Sequence, residues 1–319
     1  GSNSLLYTDL YELTMAQAYF ANGRHEQIAT FDYFFRKTPF EGGYVIFCGL
    51  DDLLEEIRQL RIDEDGLAFL REEGFSEDFL TALAAFRFSG DIESAREGEV
   101  VFPEEPVLQV RAPVWQAQII ETMVLNFLNF QSLVATKTTR VCRAAGKRPV
   151  VDFGLRRVQG PSGAMFSRAA VAGGAQSTSN VLAAQRYGLT ASGTMAHAWV
   201  QSHDDELAAF ENFVRVFPDR AILLVDTYDT LQSGVQNAIT LARQLRRENR
   251  SIAGIRLDSG DLAYLSRQAR HMLDEAGFPE IRIVASNQLD EYVIKSLLEQ
   301  QAPIDIFGVG SGLLAGKSD

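Results

Sequence analysis

From Lys147 onward the sequence keeps one rhythm: a short apolar run, a polar or glycine-rich cluster, then a stretch with apolar residues at helical spacing. Short apolar runs alternating with helical segments predict βα units and a parallel sheet. The predicted strands are Arg148–Phe153, Leu189–Gly193, Ala221–Val225, Ile252–Leu257, Ile281–Ala285 and Ile304–Val309. The predicted helices between them are Ser167–Tyr187, Asp204–Val216, Thr230–Glu248, Asp261–Ala276 and Leu289–Glu299. Each strand runs straight into a cluster: in order DFGLRR, GTMAH, DTYDT, DSGD, SNQLD and GVGSG. Residues just past the C-terminal ends of parallel strands lie on the face where barrel enzymes place their active sites. Six such clusters converge on one opening, although Asp, Gly, Asn and Ser also serve as ordinary turn residues.

Before residue 146 the texture differs. Thr30–Phe35 and Phe86–Val110 read as strands, and Gly42–Leu60 and Pro113–Ala145 as helices. The expected organisation is therefore an α+β domain over 1–146 and an α/β barrel-like catalytic domain over 147–319. With 319 residues, 46% of them hydrophobic, the chain has ample material for a large core. Its net charge of -12 argues against a nucleic-acid or membrane-surface partner. An anionic ligand would have to be met by a local group of arginines. Cys48 and Cys142 are far apart and outside metal-ligand spacing, which points away from a disulfide framework. No run has the length of a membrane span and no signal segment leads the chain, so a cytoplasmic location is expected. The Gly1-Ser2 start reads as a scar of tag removal.

Arg156 and Arg157 follow the first barrel strand and Arg256 stands near the end of the fourth. A guanidinium pairs as a planar fork with carboxylate or phosphate, so arginines at a barrel mouth fit an anionic substrate. Asp226, Asp229, Asp258 and Asp261 are predicted at the same rim. They can hold magnesium or stabilise a positive centre on a sugar, or simply cap helices, as Asp261 is placed to do. His197, in GTMAH, can act as a general base, a metal ligand or a phosphate acceptor. His25, His203 and His271 lack that setting. Gly308, Gly310 and Gly312 follow the last strand, where glycines let backbone N–H groups approach a phosphate. Tyr11, Phe153 and Tyr228 are aromatics beside polar signatures, placed to stack on a flat ring or to fill a core.

The motifs TDLYELTM, FRKTP, ATKTTR, DFGLRRVQGPSG, TSNVLA, GTMAHAWV, LVDTYDT, GIRLDSGDL, VASNQLDEY and FGVGSGLL run in order along nearly the whole chain. In this set the sequence resembles the nicotinate phosphoribosyltransferase family. The resemblance implies the type II phosphoribosyltransferase fold, an irregular, incomplete α/β barrel with an N-terminal α+β domain. It implies transfer of phosphoribosyl from phosphoribosyl pyrophosphate to nicotinate, giving nicotinate mononucleotide for NAD biosynthesis. ATP hydrolysis would be coupled through a phosphohistidine, a ligase-type classification, with Mg2+ required. By the same resemblance His197 is the phosphorylated histidine, and Tyr11 and Phe153 sandwich the pyridine ring. Arg156, Thr194 and Arg256 bind substrate, and Asp226 and Asp258 lie near the ring and the ribose, Asp258 also serving as the metal ligand. Gly308, Gly310, Ser311 and Gly312 hold the 5'-phosphate, with Ser311 standing where the family carries threonine. Ser179 stands where the nicotinamide-using sister enzyme carries an aspartate, which predicts preference for the acid. A homodimer is implied, with Arg36 reaching into the neighbour's site. The family's further C-terminal segment is expected to be missing after Asp319. Two alternatives stay open on the residues alone: an inactive nucleotide-binding chain, and a nicotinamide- or quinolinate-using phosphoribosyltransferase.

Overall fold

The structure is a computed structural model and describes residues 4–218 and 220–314. Gly1 and Ser2, the Ala315–Gly316 end of the glycine-rich stretch, and the remainder to Asp319 lie outside the described residues. The chain divides into two units, Gly1–Thr136 and Lys137–Asp319.

The first unit contains α1 (Leu10–Ala21), β1 (Ile28–Tyr33), β2 (Val45–Ile46), α2 (Leu50–Gln59), α3 (Glu64–Glu72), α4 (Glu77–Ala84), β3 (Asp91–Ser94), β4 (Val100–Val101), β5 (Leu108–Pro113) and α5 (Val114–Ile119). It also holds most of α6 (Glu121–Ala145), within which the division falls. β5 lies between β1 and β3, antiparallel to both, with Val110 opposite Phe31 on one side and Ile92 on the other. β2 and β4 form a separate antiparallel pair.

Two expectations fail here. The helix predicted over Gly42–Leu60 begins only at Leu50, because Gly49 takes φ 108° and a side chain there would meet the Phe127 carbonyl at 2.8 Å. The strand predicted over Phe86–Val110 is three strands, interrupted by turns at Gly98 (φ 87°) and Glu104 (φ 64°). The unpredicted α3 and α4 fill the space between, with Asp63 capping α3 through the Gly66 N–H at 3.0 Å.

The second unit continues with β6 (Val150–Asp152), α7 (Gly163–Ala172), β7 (Ser177–Thr178), α8 (Val181–Tyr187), α9 (His197–Gln201), α10 (Glu206–Val216), β8 (Ile222–Leu224), α11 (Val235–Arg246), β9 (Gly254–Leu257), α12 (Leu262–Glu275), β10 (Arg282–Ala285), α13 (Glu291–Glu299) and β11 (Ile306–Val309). Its six strands are all parallel in the order β7-β6-β11-β10-β9-β8. One face of the inner strands is fully enclosed, as a helix-covered sheet requires: Ile255, Leu257, Ile283, Ala285, Phe307 and Val309 lie on it, while on the other face Val284 is buried and Arg256 partly exposed. β7 and β8 are edges, and only a lone parallel bridge, Thr178 with Ala191, extends the β7 side. The fold is an incomplete α/β barrel.

The predicted helix Ser167–Tyr187 is broken in two. Gly174 takes φ 118°, and the chain then enters β7, held by Gln176 N–H to the Val150 carbonyl at 2.8 Å and Ser179 N–H to the Asp152 carbonyl at 2.9 Å. The strand predicted at Leu189–Gly193 is reduced to the bridge at Ala191, because the Ser-Thr pair of β7 already occupies the place beside β6. The predicted Thr230–Glu248 helix starts as a π-helical turn over Thr230–Gly234, where a side chain on Gly234 would strike the Val225 carbonyl.

Candidate active site

The C-terminal ends of the six strands carry the rim. After β8, Asp226 turns inward with its side chain almost wholly enclosed; one oxygen accepts from the Asp258 N–H at 2.7 Å and the Ser259 hydroxyl at 2.6 Å. That carboxylate ties the loop after β8 to the loop after β9. Asp258 is itself held by the hydroxyl of Ser286, at the end of β10. Three successive strands are thus laced together at their mouths by side chains.

His197 opens α9 beside this lacing. Its Nε2 lies 3.8 Å from Asp226 Oδ1 and 3.8 Å from Asp258 Oδ2, and its Nδ1 is 3.0 Å from the Thr227 hydroxyl. The imidazole is 38% exposed, open to a ligand on one side and braced by two carboxylates on the other. Arg256, from β9, donates through Nη1 to the Thr194 hydroxyl at 2.5 Å. Burial lowers its pKa from the ordinary value; Asp258 and Asp226 oppose that shift and Arg156 adds to it. A guanidinium remains charged through such a shift. The Asp226 Oδ1 and Arg256 Nε atoms are buried and have no hydrogen-bond partner. In a folded protein such atoms are uncommon and mark a strained or functional place.

Across the rim, a cleft of about 160 Å³ at the ends of β6, β10 and β11 is lined by Phe153, Arg156, Arg157, Asp258, Ser286, Asn287, Gln288, Gly308, Gly310 and Ser311. Phe153 lies against Gly308 so closely that a side chain on the glycine would sit 2.3 Å from the ring. Gly312 is pressed on the Leu289 carbonyl, at 1.9 Å from where a Cβ would be. The smallness of these two glycines is therefore required by packing, independently of any ligand. Arg156 and Arg157 are exposed on a short 3-10 turn. Asn287 and Gln288 both take positive φ, 83° and 50°, a conformation non-glycine residues rarely adopt and one that concentrates at functional sites.

Some predicted residues stand elsewhere. Asp229 and Asp261 are caps, the first accepting from Leu231 and Gln232 N–H at 3.0 and 2.7 Å, the second from Tyr264 N–H at 3.0 Å. Tyr228 is 57% exposed on the outer side of its turn. Tyr11 and Arg36 belong to the first unit. There the Tyr11 hydroxyl donates to Glu121 at 3.2 Å, and desolvation together with the Glu121 charge pushes its pKa up to about 12. Arg36 is exposed after β1. His203 bonds the Trp199 carbonyl at 2.8 Å, and His271 pairs with Glu275 on α12.

Sequence reasoning missed Asp152, Thr178, Thr227, Ser259 and Ser286. All are small polar residues whose importance lies in burial or partners, which residue type alone does not reveal. For a metal, Asp226 and Asp258 supply oxygen donors, but among the described residues no group of three or more His, Cys, Asp or Glu side chains is arranged to hold one. Two carboxylates fit magnesium when water and substrate phosphate complete its shell. Among the described residues no disulfide joins Cys48 and Cys142, and no helix is long and apolar enough to cross a membrane.

Fold and rim together define an α/β-barrel protein whose mouth gathers cationic and anionic groups around one imidazole. Two family profiles match the chain, the nicotinate phosphoribosyltransferase N-terminal domain over residues 6–129 and the nicotinate phosphoribosyltransferase family domain over 149–317. Nicotinate phosphoribosyltransferase of Bacillus subtilis (strain 168) is 46% identical over 97% of this chain. Nicotinate phosphoribosyltransferase pncB2 of Mycobacterium tuberculosis (strain ATCC 25618 / H37Rv) is 49% identical over 98%. The chain spans 63% and 67% of the lengths of these relatives. The crystal structure of human nicotinic acid phosphoribosyltransferase superposes with a TM-score of 0.89 at 30% identity, covering 95% of this chain and 72% of that one. The chain belongs to the nicotinate phosphoribosyltransferase family.

Proposed function

We propose that this chain transfers phosphoribosyl from phosphoribosyl pyrophosphate to nicotinate, releasing nicotinate mononucleotide and pyrophosphate. The observation that carries the reading is the rim cluster of His197, Asp226, Asp258 and Arg256 at the barrel mouth of a member of this family. In the reaction the pyridine nitrogen's lone pair bonds to C1' as the C1'–oxygen bond breaks and its electron pair leaves on pyrophosphate. Such a loose transition state gains from positioning and fixed charges rather than from a covalent nucleophile. Asp226 and Asp258 stabilise the positive charge that develops on the ribose. Arg256 and Arg156 meet anionic groups of the substrates with their forks, Thr194 orients Arg256, and Phe153 supplies one face for the ring. Gly308, Gly310, Ser311 and Gly312 form the turn for the 5'-phosphate. Ser179, lacking charge, spares nicotinate's carboxylate the repulsion that an aspartate would impose.

The reading extends to ATP. The γ-phosphoryl group passes to the imidazole of His197, leaving ADP, and hydrolysis of the phosphohistidine releases phosphate. The two aspartates beside Nε2 and the Thr227 hydroxyl at Nδ1 brace the orientation of the ring. Asp258, with Asp226 beside it, would hold Mg2+, which neutralises phosphate charge when bound. The reading also carries a homodimer with Arg36 reaching the neighbouring site, and a cytoplasmic location.

The test is a nicotinate mononucleotide assay with and without ATP, together with labelling from γ-radiolabelled ATP. Product that rises with ATP, and acid-labile label lost in His197→Ala, are expected. No product under either condition overturns the transferase reading. Product without label, or label retained in His197→Ala, overturns the phosphohistidine.

A further inference from the structure

A carboxylate sits beneath the aromatic side of the cleft without reaching it. Asp152 ends β6 and is fully enclosed. A buried ionised carboxylate is costly unless hydrogen bonds replace water. Asp152 has two, and they come from different loops. Oδ1 accepts from the Gly154 N–H at 2.7 Å, within the turn that carries Phe153 and leads to Arg156. Oδ2 accepts from the Thr178 hydroxyl at 2.7 Å, on β7 next to Ser179.

The relay continues outward. The Thr178 oxygen accepts from the Asn180 N–H at 3.0 Å, and Asn180 caps α8 through the Ala183 N–H at 3.1 Å. The Asn180 amide also donates to the Gly163 carbonyl at 3.0 Å and the Ser167 hydroxyl at 3.2 Å on α7. Ser179 is held between these fixed points by its own N–H to the Asp152 carbonyl at 2.9 Å. Every atom in this chain has one sense of donation. Thr178 donates to Asp152, since a carboxylate only accepts, and its oxygen accepts from the Asn180 N–H. An amide in place of the carboxylate would turn an NH2 toward either Gly154 N–H or the Thr178 hydroxyl, and one partner would lose its acceptor.

We propose that Asp152 is a positioning residue, which through Thr178 fixes the spacing between the Phe153 turn and Ser179. It thereby sets recognition of the pyridine base and not of the phosphoribosyl donor. The proposal rests on the assignment of nicotinate as substrate. Gly308 holds the Phe153 ring from the side of β11, so a loosened Asp152 link shifts the ring relative to Ser179 while leaving Arg256 on β9 and the aspartates after β8 and β9 in place.

Asp152→Asn, Thr178→Val and Thr178→Ser are compared with wild type by steady-state kinetics and thermal melting. Asp152→Asn and Thr178→Val are expected to raise KM for nicotinate about tenfold, with KM for phosphoribosyl pyrophosphate changed less than about twofold. The Asp152→Asn/Thr178→Val double variant is expected to be no worse than either single one, since both cut the same link. Thr178→Ser, which keeps the hydroxyl, is expected to recover the wild-type ratio of the two KM values. A common rise of both KM values, or additive losses, overturns the proposal, as does an unrecovered ratio in Thr178→Ser. Should wild type form no nucleotide, the assigned activity falls, and calorimetric titration with nicotinate decides the positioning role separately. Tenfold weaker binding by Thr178→Val upholds it and equal binding ends it.

Discussion

The two arcs of the barrel rim solve opposite problems. Along β7, β6 and β11 the one enclosed carboxylate, Asp152, has both oxygens satisfied by the protein, and its neighbours are an aromatic ring and glycines. Along β8, β9 and β10, Asp226 is buried and Arg256 partly so, yet each keeps a buried atom with no partner. The first arc is finished by its own hydrogen bonds and offers shape. The second remains polarised and offers charge, with His197 between two carboxylates at its centre. On the proposed reading, affinity for a flat ring and stabilisation of a charged transition state fall to separate strands.

The largest expected effect falls on the polarised arc. Asp226→Ala removes the acceptor that joins the loops after β8 and β9 as well as the charge beside His197, and kcat/KM for nucleotide formation should fall about a thousandfold, ~4 kcal/mol. A loss confined to KM for nicotinate would erase the distinction between the arcs. Next comes the tether between them. Glu291, 8% exposed at its side chain, binds Lys137 at 2.8 Å and Arg140 at 3.1 Å just beyond the strained Asn287–Gln288 turn. Burial pushes its pKa up, but hydrogen bonds from Lys137, its own backbone and Arg140 outweigh this and hold it below the ordinary carboxylate value. Its contribution is therefore complete above the unfolded pKa and is lost as pH falls through the lower folded one. Glu291→Gln should cost about 3 kcal/mol near neutral pH by leaving two cations facing a neutral partner. Urea unfolding across pH checks this, and a variant whose acid limb matches wild type would contradict it.

On the finished arc, Gly308→Ala places a methyl group against the Phe153 ring and should destabilise by about 2 kcal/mol, with KM for nicotinate rising more than kcat falls. Equal loss of kcat would show that the ring belongs with the charged arc. The smallest effect is specificity: Ser179→Asp should lower the nicotinate-to-nicotinamide ratio of kcat/KM about tenfold, ~1.4 kcal/mol. An unchanged ratio would remove Ser179 from base selection.

Much of this was legible in the sequence for one reason. In a parallel barrel the strand end and the site are the same place, so DTYDT and DSGD announced Asp226 and Asp258 as soon as the apolar runs before them were recognised. The errors came where local pattern and tertiary contact disagree. Ser167–Tyr187 has helical texture throughout, yet β7 forms inside it because Thr178 finds a buried acceptor in Asp152. Asp229 looks like a rim ligand by spacing but meets backbone N–H groups first, while Asp261 caps α12 as its place predicts. Asp152 itself lay inside a quoted motif, and nothing in its residue type distinguishes a foundation from a ligand.

The missing ladder between β7 and β8 has a mechanical consequence. In a closed hoop, widening the mouth would tear several backbone hydrogen bonds at once. Here the gap near the mouth is fastened by side-chain links, Thr194 to Arg256 and His197 to Thr227. Each such clasp is worth only about 1 kcal/mol, or somewhat more where the guanidinium is involved. The groups that hold the slot shut are the same ones an incoming anion would engage, so loading the site and loosening its collar draw on a single pair of fasteners.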